Sequence, residues 1–228
     1  MADDIVFLLD VDNTLLDNDT VTEDLRRHLT ETFGEERQLK YFEIFEQLRV
    51  ELGYADYLGA LQRFRLAHPH DVRLVEMSLW LIDYPFEQRL YPGALEVVDH
   101  LSRLGLPVVL TDGDVVFQPR KIERSGIRRA VAGRVLLYVH KEHELDDVSR
   151  RFPAEHYVLV DDKLRILAAV KAVWGDKVTT VFPRQGHYAH DPRILESSPP
   201  ADVQVDRIAE LLTFDLEALT RARGLSLG

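Results

Sequence analysis

From Tyr91 onward, short runs of aliphatic residues alternate with segments that carry the periodicity of a helix. A short aliphatic and β-branched run bounded by turn residues predicts a buried strand. Strands that alternate with helices are joined by right-handed crossovers, and they form a parallel sheet covered on both faces. A weak edge strand is predicted near Val203 and Val205, and the stronger strands are predicted at residues 107–110, 135–139, 157–160 and 177–182.

A further strand is predicted at residues 5–9, where the sequence reads Ile-Val-Phe-Leu-Leu. The residues that follow, 19–86, contain no strand-like run, and their apolar positions recur at helical spacing. We therefore predict an α/β fold in which a parallel sheet carries helices on both faces. Residues 1–17 and 88–228 form this core, and residues 18–87 form a small all-helical segment inserted after the first strand.

Local signals place some helices and their apolar faces. The first helix of the insert is predicted over residues 21–33, with Thr22 as its N-cap. In the core, one helix is predicted over residues 142–151. Within the insert, Leu39 and Phe42 are predicted to lie on one helix face that packs into the interior.

Composition limits the classes of protein to which the chain can belong. Of 228 residues, 46% are hydrophobic, which is enough to build a core. A formal net charge of -11 argues against a surface for nucleic acid, because such a surface would repel the phosphate backbone. The absence of cysteine excludes disulfides and thiolate chemistry. Because the sequence shows neither a signal peptide nor a membrane-spanning run, we expect a cytoplasmic protein without a membrane partner.

Polar residues stand where the predicted strands end, and carboxyl ends of parallel strands meet at one crevice, where ligands bind. Four converging acids would repel one another unless a cation lies among them. Oxygen donors without cysteine suit Mg²⁺, while a hydroxyl and an ammonium group suit phosphoryl oxygens. The alternative is a surface turn rich in Asp and Asn. The residues concerned are Asp10, Asp12, Thr111, Lys141, Asp161 and Asp162.

These residues resemble the motifs of the haloacid dehalogenase-like hydrolase superfamily. Residues 10–14, Asp-Val-Asp-Asn-Thr, resemble its first motif, and Thr111 after an apolar strand resembles the second. Lys141 resembles the third motif, and the pair at 161–162 resembles the fourth in its paired-acid form. The helical insert lies where the family carries a mobile cap. The resemblance implies a Rossmann-like core, Mg²⁺ dependence and an aspartyl-phosphate intermediate.

The resemblance also implies a role for each site residue. Asp10 would attack phosphorus, and Asp12 would protonate the leaving alcohol and then deprotonate the attacking water. Thr111 and Lys141 would bind phosphoryl oxygens. The implied substrate is a small phosphorylated metabolite. The implied Mg²⁺ ligands are Asp10, Asp12 through its backbone carbonyl, Asp161 and Asp162.

Two departures from the family pattern, and one residue that agrees with a single branch of it, affect this interpretation. Asp112 stands where the family usually has Asn, which places an extra acid beside the phosphoryl pocket. Glu142 rather than Pro follows the lysine of the third motif, so Lys121 is kept as a second candidate for that role. Dehalogenases of the superfamily lack an acid at position 12, so the acid here indicates phosphate esters. Lys40 is the one lysine of the insert and the alternative catalytic group there.

Other residues near the predicted site have less specific interpretations. Lys163 is predicted to be a surface lysine at a helix start that offsets the local acids. The loop after the fifth core strand lies near the same mouth, and it either faces solvent or contacts the substrate; its candidates are Arg184, His187, Tyr188 and His190.

The sequence leaves alternatives to a phosphatase open. A phosphotransferase or mutase would use the same residues to pass the phosphoryl group to a sugar instead of water. A non-catalytic binding protein is a third possibility, against which the intact acids at the strand ends count. The oligomeric state stays open.

Overall fold

A computed structural model describes residues 3–196 and 198–220, so residues 1–2, 197 and 221–228 of the predicted core lie outside the described part. The strands are β1 Asp3–Leu9, β2 Leu106–Asp112, β3 Val135–Tyr138, β4 Ala154–Val160, β5 Val178–Pro183 and β6 Val203–Val205. They form one sheet in the order β3-β2-β1-β4-β5-β6. Every neighbouring pair is parallel, which confirms the predicted fold class.

The centre of the sheet is β1, which pairs with β2 on one side and with β4 on the other. Its residues Val6, Phe7 and Leu8 are fully buried. A strand covered on both faces shows a continuous apolar run rather than an alternating one, which is the pattern seen in the sequence. The carboxyl end of β1 opens between β2 and β4, where the order of the strands reverses and ligands bind in such sheets.

Four helices follow β1 along the chain and form the insert. The first begins at Asn18 rather than at the predicted Val21, because Asp17 and not Thr22 is the N-cap. Oδ1 of Asp17 accepts a hydrogen bond from the backbone N–H of Thr20 at 2.9 Å. The helices are α1 Asn18–Phe33, α2 Glu35–Leu52, α3 Tyr57–Ala67 and α4 Arg73–Asp83.

The remaining helices cover the two faces of the sheet. The helix predicted over residues 142–151 is divided into a 3-10 turn, Lys141–His143, and an α-helix that begins at Leu145. Further 3-10 turns lie at Phe86–Arg89, Gly175–Lys177, His187–His190 and Ile208–Thr213. The helices are α5 Ala94–Ser102, α6 Phe117–Arg124, α7 Ile127–Ala130, α8 Leu145–Arg151, α9 Leu164–Trp174, α10 Pro192–Glu196 and α11 Leu216–Thr220.

Apolar packing joins the insert to one face of the sheet in a single cluster. The contact is aromatic, since the ring of Tyr57 on α3 lies 5.2 Å from that of Phe117 on α6. The ring of Phe117 lies in turn 5.6 Å from that of Phe86. Phe42 is buried as predicted, but Leu39 is exposed. The insert therefore contacts the core where α3 packs against the core helix α6, close to the carboxyl end of β1.

Among the described residues, no helix combines the length and the apolar character needed to cross a membrane.

Candidate active site

An ion-paired lysine lies at the carboxyl end of the central strands. Nζ of Lys141 lies 2.5 Å from Oδ1 of Asp10 and 2.7 Å from Oδ2 of Asp161. It also donates a hydrogen bond to the carbonyl of Leu110 at 3.1 Å. Lys141 is fully buried, and a buried ammonium group is stable only when opposite charges and acceptors surround it. Of the two lysines considered for the third motif, Lys141 is the one beside Asp10.

The carboxylates of Asp10, Asp161 and Asp162 form a cluster that fits a divalent metal ion. One oxygen from each lies within 4.8 Å of the others, and all three residues are buried. Within the described residues, neither oxygen of Asp162 has a hydrogen-bond partner. A buried carboxylate without a donor is unfavourable unless a cation lies beside it. The all-oxygen donor set suits a hard cation.

Burial and neighbouring charge shift the pKa values of this cluster in different directions. Burial opposes ionisation of Asp10, but the ammonium groups of Lys141 and Lys163 outweigh it and hold the pKa of Asp10 below its usual value. Burial raises the pKa of Asp161 and raises that of Asp162 well above its usual value. Of the three carboxyl groups, Asp10 is therefore the one whose ionised form the neighbouring ammonium groups favour most.

Thr111 presents a buried hydroxyl at the end of β2. Its Oγ1 accepts a hydrogen bond from Nε2 of Gln118 at 3.0 Å. The nearest backbone acceptor, the carbonyl of Asp112, is 3.5 Å away, which is long for a hydroxyl donor. The hydroxyl proton of Thr111 is therefore available to a bound anion. Oγ1 of Thr14 lies 3.4 Å from Oδ2 of Asp10, which is likewise long for a hydroxyl donor.

The carboxylate of Asp12 lies outside the three-acid cluster. Its Oδ1 accepts a hydrogen bond from Nζ of Lys121 at 2.6 Å, and 24% of its side chain is exposed. Asp12 therefore has a different partner from Asp10, although only Val11 separates the two. The expected contribution of Asp12 to metal binding concerns its backbone carbonyl and stays a prediction.

Asp112, which replaces the usual Asn, holds the backbone of Lys141. Its Oδ1 accepts the N–H of Lys141 at 2.8 Å. Burial raises the pKa of Asp112 to about 6, although Lys141 lowers it in part. The extra acid thus fixes the loop that carries the buried lysine, at an electrostatic cost.

A cleft of about 420 Å³ lies between this edge of the sheet and the insert. Asp12 and Asp162 line it from the sheet, and Phe45 and Tyr57 are among the residues that line it from the insert. Lys40 stands on an exposed surface of α2, where it pairs with Glu43 at 2.8 Å, and it does not line the cleft.

Lys163 stands at the start of α9 and offsets the local acids, as predicted, but it faces the cleft rather than an open surface. Its side chain is 26% exposed and lines the cleft, with Nζ 3.9 Å from Oδ1 of Asp162 and 5.7 Å from the ring centre of Tyr188. Of the loop candidates, His187 and Tyr188 also line the cleft, whereas Arg184 and His190 do not. The ring of His187 pairs with Asp19 at 2.7 Å, which attaches this loop to the start of α1.

Residues 6–173 match the family model of haloacid dehalogenase-like hydrolases. The chain belongs to this family of hydrolases. The matched region extends from β1 into α9, so it includes the insert and every residue of the buried acid and lysine cluster. A comparison with curated proteins gives no match.

Solved structures agree with this assignment. A haloacid dehalogenase-like hydrolase of Burkholderia xenovorans LB400 is 63% identical, with a TM-score of 0.89 over 93% of this chain and 99% of that one. The magnesium-bound HAD-hydrolase YfnB of Bacillus subtilis is 16% identical, with a TM-score of 0.59 over 92% and 98% of the two chains. L-2-haloacid dehalogenase of Xanthobacter autotrophicus is 17% identical, with a TM-score of 0.58 over 99% and 100%. The last two show the fold alone.

The sequence interpretation missed the part of the hydrolase site that the insert supplies. Asn18 and Tyr57 line the cleft, and Arg49 reaches the hydroxyl of Tyr188 at 3.4 Å. No local motif marks these residues, because their place at the site depends on how the insert packs on the sheet. The one available signal was position, since Asn18 lies in the segment that leaves β1, six residues after Asp12.

Proposed function

We propose that this hydrolase is a Mg²⁺-dependent phosphatase that acts on a small phosphorylated metabolite through an aspartyl-phosphate intermediate. The observation that carries the proposal is the buried cluster in which Lys141 pairs with Asp10 and Asp161, and in which Asp162 lies close to both acids. It combines an ionised carboxylate with an ammonium group and with a place for a divalent cation, which are the groups that phosphoryl transfer needs.

In the first half-reaction, a carboxylate oxygen of Asp10 attacks phosphorus, and the P–O bond to the alcohol breaks. Asp12 gives its proton to the departing oxygen, so the alcohol leaves neutral. Lys141 and the hydroxyl of Thr111 bind the non-bridging oxygens, on which negative charge is held in the transition state.

In the second half-reaction, Asp12 accepts a proton from water, which attacks the phosphorus of the acyl phosphate. The bond between phosphorus and the carboxylate oxygen of Asp10 breaks, which releases inorganic phosphate and regenerates the free carboxylate. Throughout, the insert covers the cleft and limits the entry of bulk water.

Asp10, Asp161 and Asp162 are the side chains that would hold Mg²⁺, with the Asp12 carbonyl as a further ligand. When bound, the ion would neutralise the phosphoryl oxygens and orient them toward Asp10. The magnesium reported in the Bacillus subtilis structure is consistent with this choice of ion.

A haloacid dehalogenase is the competing activity within the family, and one structural neighbour is such an enzyme. Two observations favour the phosphatase. Asp12 supplies an acid where dehalogenases of the superfamily lack one. The side chain of Asp162 is buried without a hydrogen-bond partner, as a metal ligand would be.

The test measures phosphate release from a panel of phosphate monoesters, with Mg²⁺ or with EDTA, and halide release from an L-2-haloacid in parallel. Release of phosphate that is lost in EDTA and in Asp10→Asn supports the proposal. Halide release without phosphate release overturns it. Transfer of the phosphoryl group to a sugar without release of free phosphate would favour the phosphotransferase. The absence of both turnover and Mg²⁺ binding would favour a non-catalytic protein.

A further inference from the structure

Lys121 on α6 is a buried lysine to which the proposed mechanism assigns no role. Only 1% of its side chain is exposed. Its Nζ donates to Oδ1 of Asp12 at 2.6 Å and to Oδ1 of Asn18 at 2.9 Å. Burying an ammonium group is costly, and these two acceptors are what offset the cost.

The second acceptor leads from the sheet into the insert. Asn18 is the first residue of α1, and its backbone N–H donates to Oδ1 of Asn13 at 3.0 Å. Its Nδ2 donates to the hydroxyl of Tyr57 on α3 at 3.2 Å. That hydroxyl lies 2.9 Å from Oγ1 of Thr22, again on α1. A continuous chain of hydrogen bonds therefore links the carboxylate of Asp12 to two helices of the insert.

We propose that Lys121 is a positioning residue that orients Asp12 for proton transfer and links that orientation to the placement of the insert. The inference rests on the proposed function, because it gives a role to a residue of the same site. Lys121 binds Oδ1 of Asp12, so Oδ2 is the oxygen that exchanges a proton with the leaving group or with water. Asn18 fixes Lys121 when α1 and α3 are seated on the sheet.

The inference has a kinetic consequence that depends on the leaving group. An alkoxide is a poor leaving group and needs the proton of Asp12, whereas 2,4-dinitrophenolate is stable without it. Proton transfer by a placed side chain contributes about 10²–10⁴-fold to rate. Misplacing Asp12 should therefore slow cleavage of an alkyl phosphate far more than cleavage of the dinitrophenyl ester.

The experiment compares kcat for an alkyl phosphate and for 2,4-dinitrophenyl phosphate in the full-length chain. Lys121→Met keeps the length of the side chain and removes its charge. We expect its loss of kcat to be at least about tenfold greater for the alkyl ester. Lys121→Arg keeps the positive charge, so the losses of kcat on the two esters should differ less than they do in Lys121→Met. Lys40→Met is the matched control, because it makes the same chemical change at an exposed position of α2. It should not change the ratio of kcat values for the two esters.

Equal losses of kcat on the two esters in Lys121→Met would overturn the inference, because a merely structural defect does not distinguish leaving groups. If Lys121→Met does not fold, the same comparison is made with Asn18→Ala. Its loss of kcat should be smaller, but it should again be greater for the alkyl ester than for the dinitrophenyl ester. Failure of the wild-type protein to hydrolyse either ester is a different result, since it contradicts the proposed function and not the role of Lys121.

Discussion

Replacing Asp112 by Asn is expected to stabilise the metal-free protein at neutral pH. Burial raises the pKa of Asp112 to about 6, from 3.8 in an exposed carboxyl group. A carboxyl group that holds its proton more tightly in the folded protein opposes folding once it ionises. The difference in pKa corresponds to about 3 kcal/mol when the group is fully ionised. Because Asp112 is only half-buried, solvent screening lowers the expected gain to about 1–2 kcal/mol.

The sign of the effect depends on pH. Well below pH 3.8, Asp112 is protonated in both states and the two chains should be equally stable. Between about pH 4 and pH 6 the carboxyl group ionises first in the unfolded chain, so the stability of the wild type falls relative to that of the variant. Well above the folded-state pKa the difference is constant. Asn keeps an oxygen that can accept the N–H of Lys141, so the loop should remain in place.

Urea unfolding in EDTA at an acidic and at a neutral pH measures this difference. Asp176→Asn, at an exposed turn position, is the matched control and should change stability little at either pH. A variant that is equally stable or less stable at neutral pH would refute the reasoning, because it would show that Lys141 stabilises the ionised Asp112 by more than burial destabilises it.

Further predictions concern the acid cluster. Asp10→Asn should lower turnover of a phosphate ester more than about a hundredfold in a chain that still unfolds cooperatively, and a smaller loss would assign the nucleophile elsewhere. Asp162→Asn should weaken Mg²⁺ binding at least about tenfold in calorimetry, and an unchanged affinity would place the ion away from this residue. Because burial raises the pKa values of Asp161 and Asp162, protons compete with the cation, and Mg²⁺ affinity should fall as the pH is lowered; an affinity independent of pH would contradict this.

The central strands β1, β2 and β4 were predictable because they are buried on both faces and contain unbroken apolar runs. The run at residues 5–9 and the acids that follow it therefore identified the central strand and the site together. Helix starts were less predictable. Thr22 and Asp17 are both good capping residues, and the choice between them depends on where the chain leaves the sheet.

The candidate site divides in the same way. Asp10, Lys141, Asp161 and Asp162 lie at strand ends, where topology alone brings them together. Lys163 was not expected to face the cleft, because the direction of a side chain at a helix start depends on tertiary packing that leaves no local signal in the sequence. The pairing of Lys121 with Asp12 carries no local signal either, since it arises from the packing of α6 against the start of the insert.

The most direct test of the central claim is the detection of the covalent intermediate. The enzyme is mixed with a phosphate ester and Mg²⁺, quenched in acid during turnover and examined by mass spectrometry of its peptides. The account predicts a phosphoryl group on the peptide that contains Asp10, and its absence in Asp10→Asn. Rapid turnover of the ester without a phosphorylated aspartate, or with the phosphoryl group on another residue, would contradict it.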